Sequence, residues 1–363
     1  MPEIAEVAKF ADAIRAIIAR SGYSALTGID LIGGKYMSYH IQSTDPTLMI
    51  GNENGSPKWI NKIKNPKTGR LINIKESDYP RGEYRPCLDN LDEINQLCAS
   101  GPLQIISVNT RGKFCWIELE QDWFIAMTFG MSGTIQYSLD KHSHICFHLQ
   151  SDPLIKPASA FYFADSRRFG SVTISQDRSI LDGKLAALGV DLLTDPDFSD
   201  PIIFRKYHGN ICKVLMDQKG PIAGIGNYLK AEILYQCGIN PWAHIEDLTD
   251  NHLQLLLTAT KTIMLNAFNS QGATLYTYSA ADKIKGEFQH QLKIYGKSKD
   301  PLGNTIQLIN ESISSDHRTT HYVPEIQKIG NHRDPVANVA ILHSEPMPVP
   351  KLKIKLQTPN KVY

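Results

Sequence analysis

Apolar residues recur at three- and four-residue steps from the start of the chain. Ile4, Val7, Ala11, Ile14 and Ile18 fall on one face, which predicts an amphipathic helix over residues 3–20, ended by Ser21-Gly22. From Leu26 to Ile41 the pattern turns strand-like, broken at Gly33-Gly34. Residues 43–87 are rich in Asn, Gly, Pro and Lys with few apolar positions, and read as a long insertion or lid. A helix is expected over 89–98. Short runs rich in Val, Ile, Phe and Tyr follow at 103–109, 113–120, 123–129, 133–138, 143–149, 160–164 and 170–175. Turn signals divide them at the spacing of an antiparallel sandwich or barrel.

The character changes near residue 178. Helical segments are predicted at about 182–188, 201–207, 211–217, 227–237 and 249–268, with Gly238 closing the fourth and Thr249 capping the fifth. Strands that precede helices, instead of alternating with them, argue for an α+β fold in separate domains. Residues 287–295, 304–310 and 319–327 read as a small late β-element. The tail from about 331 has several prolines and no clear period, and is expected to be extended or disordered. The domain division that follows is 1–177, 178–286, 287–330 and a tail of 331–363.

Composition adds exclusions. Of 363 residues, 42% are hydrophobic and 21% charged, ordinary for a soluble globular protein. No run of about 18 apolar residues is present, so no membrane span is expected. Glu3 and Glu6 fall where a signal peptide carries positive charge. The six cysteines form no C-x-x-C pair, which points away from a zinc knuckle or disulfide framework and towards a reducing, intracellular compartment. A net charge of +1 does not announce a nucleic-acid partner. The local runs Lys58 to Arg85 and Lys351 to Lys361 are basic, a pattern that fits phosphate contacts and solvated loops alike.

Several constellations carry chemistry. If Met1 is removed, Pro2 presents a secondary amine titrating near pH 8, a fair fraction of it neutral at physiological pH and able to attack a sugar C1′ as a Schiff-base lysine would. Glu3 beside it can move a proton. Pro and Glu are also ordinary helix-start residues. Gly224-Ile225-Gly226-Asn227-Tyr228 offers a tight turn whose N–H groups open a helix, either a phosphate cradle or a plain turn with Asn227 as its cap. Asp165-Ser166-Arg167-Arg168-Phe169-Gly170 suits a strand-end loop that enters a duplex, with Arg filling space and Phe wedging between bases, or else a surface pair beside a core Phe. Lys113 opens a strand after Thr110-Arg111-Gly112, and Met131 sits on the glycine-flanked turn Phe129 to Gly133. Lys141-His142-Ser143-His144 lacks a third ligand, so no metal is assigned.

Together these residues resemble the formamidopyrimidine-DNA glycosylase/endonuclease VIII family. That family opens Met-Pro-Glu-Leu-Pro-Glu-Val, against Met-Pro-Glu-Ile-Ala-Glu-Val here. Its Arg-x-Lys-Tyr, Leu-Gly-Met-Ser-Gly, Lys-His-Asp-His and Asp-Pro-Arg-Arg-Phe-Gly motifs are similar to Arg111–Phe114, Phe129–Gly133, Lys141–His144 and Asp165–Gly170. Its helix–two-turn–helix signature is similar to Asp217–Asn227, with Glu232 in the next helix. The resemblance implies an N-terminal antiparallel β-sandwich flanked by helices, then a helical helix–two-turn–helix domain. It implies a bifunctional DNA glycosylase/AP lyase of base-excision repair acting through β,δ-elimination. Pro2 would be the nucleophile, Glu3 the proton donor to the sugar ring oxygen, and Glu6 would order the site. Lys113, Asn227 and Arg318 would grip phosphates, and Met131, Arg167 and Phe169 would fill the void left by a flipped nucleotide. Where the family carries zinc cysteines, this chain has Pro301–Thr305 and Val323–Ile326. A zincless β-hairpin finger held by apolar contacts is therefore expected, with no metal or cofactor. The expected partner is double-stranded DNA with oxidised bases or abasic sites, with no membrane, bound by a monomer. The finger points to oxidised pyrimidines and ring-opened purines, although the length of Thr274 to Gly286 is that of 8-oxoguanine enzymes. The alternative is a non-catalytic DNA-binding protein of the same fold.

Overall fold

The computed structural model describes residues 2–22, 24–32, 88–150, 160–273, 286–309 and 316–333, with the strand residues 50–51, 57–58, 62–64 and 71–73. Helix α1 (Ile4–Ser21) ends where Gly22 takes a left-handed φ of 74°. Strand β1 (Ala25–Leu31) follows. Within the segment read as an insertion, β2 (Ile50–Gly51) pairs with β3 (Pro57–Lys58), and β4 (Lys62–Lys64) with β5 (Leu71–Asn73). The rest of that segment, Cys87 included, and the tail beyond 333 lie outside the described residues.

Helix α2 (Leu91–Ser100) leads into β6 (Leu103–Arg111), β7 (Phe114–Leu119), β8 (Phe124–Thr128), β9 (Gly133–Gln136), β10 (Ser143–Leu149), β11 (Ala160–Asp165) and β12 (Ser171–Ser175). The eight long strands form one antiparallel sheet in the order β12-β8-β7-β6-β1-β10-β11-β9. Its halves meet at a narrow seam, Ala25↔Gln104 and Leu26↔Leu103, and share a single core. Val108, Ile117 and Met127 from one half meet Ile145, Phe147 and Phe163 from the other. Val7, Phe10 and Ile14 of α1 fill the same core, and Phe10 stands 4.7 Å from Phe129 between ring centroids. Several strands are buried on both faces: on β8, Ile125 and Met127 enter this core while Phe124 and Ala126 join a separate cluster with Leu181 and Leu188.

Helices follow: α3 (Arg178–Ala187), α4 (Ile211–Met216), α5 (Asn227–Cys237) and α6 (Asp250–Asn269). Residues 201–206, expected as a helix, form a single 3₁₀ segment. A second core joins Leu215, Tyr228, Leu229, Ile233, Leu253 and Leu256, and the first turn of α1 enters it through Ile4 and Ala5. Helix α1 thus bridges the two cores, which fixes the chain's N-terminus between them. No helix among the described residues is long and apolar enough to cross a membrane.

The late element is a hairpin of β13 (Gln307–Ile309) and β14 (Thr320–Tyr322). Residues 287–295 differ from the strand expected there. They form a 3₁₀ turn at Phe288–His290, and the N–H groups of Lys293, Ile294 and Tyr295 all donate to Glu232 on α5, at 2.8–2.9 Å. A carboxylate that gathers three consecutive donors leaves none for a ladder. Apolar contacts among Ala231, Tyr235, Ile294, Ile306 and Val323 hold the hairpin, as expected. Polar side chains hold it as well. Asp300 accepts from the N–H groups of Leu302 and Asn304, and Gln327 joins the Val323 N–H to the Ile239 carbonyl.

Candidate active site

Pro2 is buried and lines a pocket of ≈ 180 Å³ with Lys113, Phe129, Gly130, Lys184 and Gln218. Behind it, the Glu3 carboxylate stands on the N-terminus of α5. The N–H groups of Gly226, Tyr228 and Leu229 donate to it at 2.8, 2.9 and 3.2 Å. The N–H groups of the turn read as a phosphate cradle are therefore already taken by an acceptor within the chain, the Glu3 carboxyl group. Asn227 does not cap the helix; its Nδ2 donates to the Thr319 carbonyl at 2.9 Å. The glycines permit this approach. Gly224 has a φ of +99°, and a Cβ there would meet Ile4 at 2.6 Å.

Glu6 lies one helical turn on. It accepts from the Glu3 N–H (2.8 Å), the Ala273 N–H (2.7 Å) and the Tyr228 hydroxyl (3.0 Å). Burial raises the pKa of both carboxyls; Glu3 reaches about 7, with Lys113 pulling the other way. Lys113 sits on the two-residue turn between β6 and β7, and Gly112 fixes that turn. Its N–H donates to Asp191 at 2.7 Å, and its φ of +57° and its approach to Ala223 exclude a side chain. Desolvation lowers Lys113 to about 8 against the opposing pull of Glu3 and Glu6, and Arg318 adds to the lowering. A nucleophile candidate, a protonatable carboxyl and a cation thus share one desolvated corner.

On a neighbouring rim, two loops lock together. Asp165 Oδ1 accepts from the Ser132 hydroxyl at 2.5 Å and from the Arg167 N–H at 3.1 Å, and Oδ2 accepts from the Gly170 N–H at 2.7 Å. The Asp165 carbonyl forms a hydrogen bond with His144 Nε2 at 2.7 Å. A Cβ on Gly130 would lie 2.5 Å from the Phe169 backbone, so the two loops touch. The Met131 turn and the Arg167–Phe169 loop therefore form one unit, with Phe169 60% exposed and the Arg167 guanidinium 5.5 Å from its ring centroid.

Arg318 precedes β14, beside the residues that Asn227 touches. The structure thus gathers Pro2, Glu3, Glu6 and Lys113 into one corner, Asn227 and Arg318 on one flank, and Met131, Arg167 and Phe169 on another. Sequence reading noted Tyr228 only as the end of the Gly224–Tyr228 motif, and passed over Asp191 and Lys230. A lysine inside an apolar helix was the available signal for the last. Asp165 was noted only as part of its motif.

The profile of the formamidopyrimidine-DNA glycosylase N-terminal domain matches residues 91–172, and that of the formamidopyrimidine-DNA glycosylase H2TH domain matches residues 195–279. The chain is 30% identical to a formamidopyrimidine-DNA glycosylase of Listeria innocua over 238 residues, spanning 62% of this chain and 82% of that protein. It is 27% identical to the Colwellia psychrerythraea protein of that name over 237 residues, 64% of this chain and 86% of that one. Among solved structures, the MutM (Fpg) protein of Thermus thermophilus superposes with a TM-score of 0.63 at 20% identity, covering 90% of this chain and 98% of that one. Lactococcus lactis Fpg in complex with DNA containing an abasic site gives 0.61 at 18%, covering 90% and 99%. These structural likenesses are likenesses of fold.

Proposed function

The chain belongs to the formamidopyrimidine-DNA glycosylase family of DNA-repair glycosylases, and from that premise we propose that it excises oxidised bases from double-stranded DNA and then cleaves the strand as an AP lyase. The observation that carries this reading is the shared pocket of Pro2 and Lys113 with Glu3 fixed behind them. The Pro2 nitrogen attacks C1′ while the base departs with the bonding pair and takes up the proton that the amine sheds. Glu3, held protonated by burial up to about pH 7, gives its proton to the ring oxygen, and the sugar opens to an iminium. The iminium acidifies the C2′ proton; its loss expels the 3′ phosphate, a second elimination expels the 5′ phosphate, and water releases the amine.

A base inside a duplex exposes its C1′ only on extrusion, which needs a wedge and a backbone clamp. In this reading Met131, Arg167 and Phe169 form the wedge; the exposure of Arg167 and Phe169 and the Asp165–Ser132 bond between the two loops support it. Lys113, Asn227 and Arg318 form the clamp. In this reading the chain divides at about residues 177 and 286, and the duplex lies between the strand-rich and helical parts.

Borohydride reduction in the presence of an abasic duplex tests the reading. A covalent adduct is expected, mapped to Pro2 by mass spectrometry and lost in Pro2→Thr. Absence of an adduct from the wild-type chain with a free proline terminus overturns it. Binding is expected to weaken steeply with salt.

A further inference from the structure

Helix α5 is buried on nearly every side, and one of its wholly buried residues is Lys230. Its ammonium forms an ion pair with Asp316, and both side chains are shut off from water. It also donates to the Thr320 hydroxyl at 2.9 Å. Both of its partners act on Arg318. Asp316 Oδ1 accepts from the Arg318 N–H at 3.1 Å, and the Thr320 hydroxyl donates to the Arg318 carbonyl at 3.2 Å. One buried cation therefore organises both groups that tie down the Arg318 peptide units. Asn227, one turn earlier on the same helix, holds the intervening Thr319 carbonyl at 2.9 Å.

A buried ion pair is weak evidence for stability, because desolvation offsets most of its attraction and apolar replacements of both partners are often neutral. What this pair supplies is geometry. We propose that Lys230 is a positioning residue for DNA: through Asp316 and Thr320 it fixes the Arg318 backbone relative to Asn227, so that both reach the phosphates flanking the lesion in one register. The inference rests on the DNA-repair reading above. Lys230 itself is wholly buried and acts through Arg318.

The test is a double-mutant cycle on affinity for a duplex bearing a tetrahydrofuran abasic analogue. Lys230→Met and Arg318→Ala are each expected to weaken binding about tenfold or more, the scale of a lost charge-assisted contact. The double variant should bind no worse than Arg318→Ala alone, because Lys230 has no other route to the DNA. The salt slope of Lys230→Met should fall by about one phosphate contact. Its borohydride-trapping rate at saturating abasic DNA should stay within about threefold of wild type. Lys230→Met/Asp316→Leu removes the pair without stranding a charge, and keeps the test available if the single variant fails to fold. Additive losses, or wild-type affinity in a folded variant lacking the pair, overturn the inference and leave the proposed function intact. Failure of the wild-type chain to bind the duplex overturns both.

Discussion

The Glu3 carboxylate and the Gly226 backbone meet across 223 residues of chain, the N–H of Gly226 donating to Glu3 Oε2 at 2.8 Å. A Cβ at Gly226 would lie 2.3 Å from the Glu3 carboxyl carbon, and φ is not the obstacle, since it is −123°. Gly226→Ala therefore acts through Glu3, whose carboxylate must leave the N-terminus of α5. Base excision should fall by about 100-fold or more, the usual worth of a positioned acid. Trapping on a preformed abasic site should largely survive, because its aldehyde opens without a proton from Glu3. Single-turnover excision and trapping rates measured side by side check this; equal losses in both would contradict it.

Burial raises the Glu3 carboxyl from 4.5 to about 7 and lowers Lys113 from 10.5 to about 8. The native carboxyl keeps a proton that the unfolded chain has already lost. Its contribution to stability is complete below about pH 4.5 and disappears as pH rises through about 7. The lysine has the opposite sign. Its contribution is complete above about 10.5 and disappears as pH falls through about 8. Urea unfolding should therefore show wild type losing stability relative to Glu3→Gln between pH 4.5 and 7, and parallel curves would refute the raised carboxyl.

Much of this was legible beforehand, for identifiable reasons. Strands such as β8 and β10 follow from residue type and turn signals, the face of α1 follows from its period, and Gly22, Gly238 and Thr249 mark helix ends through local chemistry. The family resemblance supplied Pro2, Glu3, Lys113 and the wedge residues. The errors arose where distant side chains override local pattern. Glu232 turned residues 293–295 away from a strand, and Glu3 took the donors reserved for a phosphate. Lys230 escaped notice because its partner lies 86 residues away.

Asp165 joins the two wedge loops through three donors: Ser132, Arg167 and Gly170. Asp165→Ala strands the buried ones and should cost about 3 kcal/mol of stability. More tellingly, Ser132→Ala keeps the backbone donors paired and breaks the link between the loops. Its cost in stability should be about 1 kcal/mol, while unstacking of the duplex, followed by 2-aminopurine fluorescence at the lesion step, should slow. Unchanged fluorescence kinetics in a folded Ser132→Ala chain would mean that the loops enter the duplex independently.

The finger offers a test by metal removal. Asp300 immediately precedes the Pro301–Thr305 stretch, and its carboxylate orders that turn. It accepts from the N–H groups of Leu302 and Asn304 at 2.9 and 2.8 Å, from Asn304 Nδ2 at 2.9 Å and from the Tyr235 hydroxyl at 3.1 Å. A thiolate bound to zinc would lose its purpose on chelation, whereas a carboxylate on backbone donors is indifferent to it. Prolonged dialysis against a zinc chelator should therefore leave both the melting temperature and the affinity for abasic duplex unchanged. Asp300→Ala should cost about 1 kcal/mol, because the turn at 301–303 is exposed and its freed donors can bond water. It should also weaken DNA binding, because the same hairpin carries the segment from Asp316 to Thr320 that presents Arg318. Loss of binding on chelation, restored by added zinc, would show that the turn depends on a metal after all.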